Sequence, residues 1–84
     1  MAHFSKMDSK FTSDHILVLA NWSDELGLID RRIQLFDLYH RVKYIKTATD
    51  EEINSKVIDT IQVIQRVESD KNKFYRVISA WGLV

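Results

Sequence analysis

Residues 49–67, TDEEINSKVIDTIQVIQRV, carry the signals that decide the fold. Thr49 is a favourable N-cap, and Glu52 follows it at the spacing of a capping box. Three acidic residues in the first turn also suit the dipole of a helix. Apolar residues then recur every three or four positions, at Ile53, Val57, Ile61, Ile64 and Val67. The segment therefore predicts an amphipathic helix that begins near residue 50.

The apolar stripe of this helix continues beyond residue 67 through Phe74, Ile78 and Trp81. We therefore favour one long helix over residues 50–81, which would extend for about 48 Å. The polar stretch 69–73 allows a second interpretation, in which Ser69 or Asp70 caps a separate fourth helix. A helix of the full length would project beyond an 84-residue globule unless a second chain covered it.

Two shorter helices are predicted upstream. Helix 1 begins at Ser13 or Asp14, both good N-caps, and ends before Gly27. Helix 2 runs from Ile29 to Lys46. Because glycine readily adopts the left-handed conformation that follows a helix, Gly27 and Gly82 are both predicted to end one.

Composition limits the fold class. The chain has 84 residues, no proline, no cysteine and only two glycines, and 45% of its residues are hydrophobic. This length supports one domain with one modest core. We expect an all-α fold, a small antiparallel bundle of three or four helices with a long C-terminal helix. The bundle spans residues 13–84, and residues 1–12 form a flexible N-terminal arm.

The sequence also argues against catalytic, metal-binding and phosphate-binding sites. Without cysteine there are no disulfides, thiolate metal sites or thiol nucleophiles. The three histidines, His3, His15 and His40, lack the spacing of a metal motif, and no glycine-rich phosphate loop is present. We expect no enzyme activity, no cofactor, no metal and no small-molecule substrate. Neither a secretory leader nor a membrane span is evident, which predicts a cytoplasmic protein.

Helix 2 is apolar on two sides. One side carries Leu28, Leu35, Leu38, Tyr39, Val42 and Ile45. The other carries Ile29, Ile33, Phe36 and Tyr44. A helix with two apolar sides is normally sandwiched between partners. The second side either packs on helix 1 of the same chain or binds another chain.

We expect the second side of helix 2 to bind protein, either a target or a second copy in a homodimer. Tyr75 and Trp81, near the C-terminus, are further candidate anchors for a partner, with burial against helix 1 as the alternative. The leading functional prediction is a small interaction module, a regulator, adaptor or inhibitor that works by masking a partner surface.

The alternative is a DNA-binding helix-turn-helix around Gly27. Arg31 and Arg32 would open the recognition helix, and Gln34 would read a base. Against this, Leu35 and Leu38 would face the DNA, and the net charge of the chain is zero rather than basic. Nucleic-acid binding is therefore not the favoured prediction.

Overall fold

A computed structural model describes residues 11–83 and shows an all-α fold. Four helices follow one another along the chain: α1 (Ser13–Glu25), α2 (Ile29–His40), α3 (Asp50–Val67) and α4 (Lys71–Ala80). No β-strand occurs between residues 11 and 83. The predicted fold class is confirmed, and the number of helices is four.

The prediction of a single helix over residues 50–81 is wrong, because the helix is interrupted at Glu68. The backbone of Glu68 is extended (φ −71°, ψ 120°). Helix α4 then starts after Asp70, whose carboxylate accepts a hydrogen bond from the Lys73 backbone N–H at 3.1 Å. Asp70 is thus the cap that the four-helix interpretation requires. Since α4 folds back, no overhanging helix is left for a second chain to cover.

Helices α1 and α4 lie antiparallel. At one end of the pair the His15 and Trp81 rings meet edge to face with centroids 4.7 Å apart. At the other end Lys73 Nζ lies 3.1 Å from Glu25 Oε1. Residues near the start of one helix therefore meet residues near the end of the other.

Helices α2 and α3 are antiparallel as well. Arg41, just beyond the end of α2, binds Glu52 in the first turn of α3 at 2.6 Å. Near the start of α2, the Arg31 guanidinium donates to Thr60 Oγ1 at 3.4 Å, further along α3. Both helix pairs are consistent with the antiparallel bundle expected from the sequence.

The two glycines end helices as predicted. Gly27 and Gly82 have φ of +76° and +77°, the left-handed region. In each case the residue after the glycine donates its N–H to the carbonyl five residues back, Leu28 to Ser23 at 2.9 Å and Leu83 to Ile78 at 3.0 Å. These bonds satisfy carbonyls that the helix end leaves without partners.

Helix 1 begins at Ser13, as predicted, but its N-cap is Thr12 rather than Ser13 or Asp14. The Thr12 backbone N–H donates to His15 Nδ1 at 2.9 Å, so histidine takes the role that Glu or Gln usually fills in a capping box. An imidazole in that role is a weak sequence signal, which explains why Thr12 was not predicted as the cap.

Helix 2 ends close to the predicted Lys46, but its last turn is not α-helical. The α-helical part stops at His40, and Arg41–Ile45 forms one π-helical turn. Lys46 follows in the left-handed conformation with φ +62°. The wider turn rotates Ile45 away from the core side that its spacing predicts, and Ile45 is exposed.

One hydrophobic core lies between the four helices. Its fully or nearly buried members are Ile16, Leu19, Ala20, Trp22, Leu35, Leu38, Ile53, Val57, Ile61, Ile64, Phe74 and Ile78. Phe11 and Leu83 pack against this core from the two ends of the described chain. The remainder of the predicted arm, residues 1–10, lies outside the described residues. Within residues 11–83, no helix is both long and apolar enough to cross a bilayer.

Candidate protein-binding surface

The outer side of α2 carries a row of exposed apolar side chains. Ile29, Ile33, Phe36 and Tyr44, which we call the α2 stripe, have between 37% and 60% of their surface exposed. These are the four residues that the sequence predicts for the second side of helix 2. None of the four belongs to the buried core of residues 11–83, so packing within this part of the chain leaves much of their apolar surface uncovered.

The geometry of α2 explains this exposure. At 100° per residue, Leu35 and Leu38 point to the opposite side of the helix from Ile33. Leu35 is fully buried and Leu38 nearly so, whereas Ile33 is 56% exposed. Because the two leucines fix the rotation of α2 on the core, Ile33 faces away from that core.

Polar contacts within the chain run along both edges of the α2 stripe. On one edge Arg32 pairs with Asp24 of α1 at 3.0 Å. On the other edge Lys56 of α3 donates to Gln34 Oε1 at 2.8 Å. These contacts bracket the stripe between two polar borders.

A bidentate ion pair holds the far end of α2 on α3. Both terminal nitrogens of Arg41 donate to the Glu52 carboxylate, at 2.6 and 2.9 Å. This hydrogen bonding lowers the pKa of Glu52 and raises that of Arg41. The Glu52 carboxylate therefore binds Arg41 and not the Thr49 backbone N–H that a capping box would give it. The other half of the box is present, because Thr49 Oγ1 accepts from the Glu52 backbone N–H at 3.0 Å.

Aromatic and basic groups surround Tyr44, at the end of the α2 stripe. Its ring lies 5.2 Å from the His40 ring and 6.3 Å from the Tyr39 ring. Lys43 Nζ lies 5.5 Å from the centroids of both tyrosine rings and donates to the Tyr39 hydroxyl at 3.2 Å. That hydrogen bond raises the pKa of Lys43. The stripe thus ends in an amphipathic group suited to a partly wet interface.

The other two predicted anchors lie on or beside α4 and not on α2. Tyr75 is exposed, with its ring against that of Phe74 at 5.5 Å. Trp81 is only partly exposed, and its ring packs against His15 and Phe11. Trp81 therefore helps to close one end of the bundle, in agreement with the alternative that it is buried against helix 1.

The three residues proposed for DNA reading all make contacts inside the chain. Arg31 reaches Thr60, Arg32 pairs with Asp24, and Gln34 accepts from Lys56. The exposed side chains of Ile33 and Phe36 make much of the outward side of α2 apolar. Leu35 and Leu38, which would face DNA in that alternative, are in the core.

A surface cleft between α1 and α4 was not predicted from the sequence. It has a volume of about 230 Å³ and is lined in part by Val18, Trp22, Lys73 and Val77. Lys73 Nζ lies 5.2 Å above the Trp22 ring and closes one side of it. The residues of α1 and α4 that contact each other are more than 40 positions apart in sequence, so no local pattern predicts their contact.

No metal-binding group of three acidic or histidine side chains exists in the described part of the chain.

Comparison with known proteins found no matching family model, no matching curated protein and no matching solved structure.

Proposed function

We propose that this chain is a small, non-catalytic protein–protein interaction module that acts through the α2 stripe. Its partner, a target protein or a second copy of the chain, covers the stripe with an apolar surface of its own. In that role it serves as a regulator, adaptor or inhibitor in the cytoplasm, masking part of the partner.

The observation that carries the proposal is the outward apolar face of α2. Ile29, Ile33 and Phe36 succeed one another along one side of the helix while Leu35 and Leu38 hold the other side in the core. Burying the exposed half of each such side chain contributes about 1 kcal/mol. Exposed ion pairs at the border contribute about 0–1 kcal/mol each. Apolar burial therefore dominates affinity, and the borders select the partner.

The shifted carboxylates support a non-catalytic role. Glu52 is held by Arg41, and Glu68 accepts hydrogen bonds from the Trp22 indole and the Asp70 backbone N–H, at 2.6 and 3.0 Å. Each carboxylate joins helices together, and the hydrogen bonds explain its lowered pKa. A perturbed pKa with a structural explanation is no sign of acid–base chemistry.

The test is capture from nuclease-treated native extract with three baits: wild type, Ile33→Asp and Gln62→Asp. Gln62 is exposed on α3, so its variant adds the same charge away from the stripe. We expect a protein that binds wild type and Gln62→Asp at comparable yield and is lost with Ile33→Asp. Equal capture by all three baits would contradict the proposal.

DNA binding stays a prediction, and no contact of residues 11–83 favours it. Salt distinguishes the two functions, because affinity that depends on phosphate contacts falls steeply as salt rises. Binding through the α2 stripe should change little between low and physiological salt.

A further inference from the structure

We propose that the occupant of the α2 stripe is a second copy of this chain, with the two α2 helices side by side and parallel. This inference rests on the proposed function and names its partner. It depends on the spacing of the stripe and on the charges beside it.

The spacing is that of a short coiled coil. Ile29, Ile33, Phe36 and His40 follow at intervals of four, three and four residues, and all four are exposed. These are the d, a, d and a positions of a heptad repeat, whose side chains interlock between paired helices. The next such position would be Lys43. The π-helical turn adds about one residue there, so that Tyr44 follows His40 instead, with its ring against the imidazole.

The charges beside the repeat determine the direction of pairing. Asp30 and Asp37 occupy the two e positions on one flank, and Arg32 and Tyr39 occupy the g positions on the other. In an antiparallel pair, like flanks meet, so the aspartates of one copy would face those of the other. In a parallel pair, each g residue meets the e residue five positions later in its partner, so Arg32 would face Asp37 of the second copy. Two-fold symmetry repeats that ion pair.

In the free chain, Asp37 and Arg32 are both able to form the two symmetry-related ion pairs between copies. The Asp37 side chain is 69% exposed. Within residues 11–83 it is paired only with Arg41, which lies 3.9 Å away and already makes its short hydrogen bonds to Glu52. Arg32 uses one terminal nitrogen for Asp24, which leaves further N–H donors of the guanidinium for a second carboxylate. The zero net charge of the chain adds no repulsion between copies.

The experiment is sedimentation equilibrium of the purified full chain over a range of concentrations. We expect wild type to dimerise and Ile33→Asp to weaken dimerisation by more than about a hundredfold, because it places charge at the centre of the stripe. Gln62→Asp should dimerise like wild type. Circular dichroism confirms that each variant remains helical.

A charge exchange then tests the parallel direction. Asp37→Arg alone and Arg32→Asp alone each create like-charge contacts and should weaken dimerisation by about tenfold. Mixed together, they can form a heterodimer in which both cross-pairs are opposite in charge, and dimerisation should return to near the wild-type value.

Three results would overturn this inference: a monomeric wild type at all concentrations, a dimer indifferent to Ile33→Asp, or a mixture no stronger than its components. The extract experiment keeps the proposed function separate. A monomeric chain that still captures another protein through the stripe retains its interaction role and loses only self-pairing.

Discussion

Glu68 is the residue at which three helices meet. Its backbone ends α3, its carboxylate accepts from the Trp22 indole of α1, and it also accepts from the Asp70 backbone N–H that precedes α4. Those hydrogen bonds lower the pKa of Glu68. A lone glutamate in a polar stretch gives no hint of this role in sequence, because its partner Trp22 is 46 residues away.

The ionised Glu68 should stabilise the fold at neutral pH. Since its pKa is lower in the native state than in the unfolded chain, this contribution is complete above the unfolded value and is lost as pH falls through the native value. Glu68→Gln should therefore be less stable than wild type at pH 7. The difference should shrink from about pH 5 downward. Urea unfolding followed by tryptophan fluorescence measures it, and a difference that does not change with pH would contradict the assignment.

His15 should make stability depend on pH in a second window. Burial lowers its pKa against the opposing effect of Asp14, and its Nδ1 must be unprotonated to accept from the Thr12 N–H. The unfolded chain then binds a proton more readily than the native state, so stability falls as pH drops through about 6.5. His15→Gln, which keeps an acceptor without titrating, should remove this fall between pH 7 and 5 in urea unfolding. A variant with the wild-type slope would contradict the prediction.

At the scale of the helices, the ends set by neighbouring residues could be predicted and those set by distant ones could not. The caps at Thr49, Gly27 and Gly82 involve residues within five positions, and each is confirmed. The break at Glu68 combines the local cap at Asp70, which the sequence offers as an alternative, with a distant hydrogen bond from Trp22 of α1. The π-helical turn at Arg41 coincides with a side chain held by Glu52 on α3. Periodicity alone shows neither distant contact.

The left-handed position at Lys46 is a point at which the fold can be stabilised. A side chain in this conformation is strained by roughly 1–2 kcal/mol, and glycine is not. Lys46→Gly should gain about 0.5–1 kcal/mol of unfolding free energy after its greater freedom in the unfolded chain is counted. Gly27→Ala, at the same kind of position, should lose about 1 kcal/mol. Chemical denaturation measures both, and the same sign for the two variants would contradict the interpretation.

The capping role of Asp70 can be tested in the same way. Asp70→Ala removes the acceptor for the Lys73 N–H and should cost about 1 kcal/mol. Asp70→Asn and Asp70→Ser should retain most of the stability, because both side chains can cap. Equal losses in all three variants would show that the carboxylate acts otherwise.

At the scale of the whole molecule, the other helices bury one apolar side of α2 and leave its second apolar side exposed. The sequence predicts a second apolar side on α2, and within residues 11–83 its side chains are exposed. That a partner covers them stays a prediction. The sequence also offers the packing of Trp81 on α1, where its ring meets His15, but it does not predict the cleft between α1 and α4. The cleft depends on how α4 folds back.

The most direct test of the α2 stripe places a photo-cross-linking phenylalanine derivative at position 33 in cells that make the protein. The same residue at position 62, exposed on α3, is the control. We expect irradiation to cross-link position 33 to another protein, giving an adduct that is digested by protease and resists nuclease. Position 62 should give few such adducts or none. The same adduct yield at both positions, no adduct at position 33, or an adduct with nucleic acid would contradict a protein-binding role for this surface.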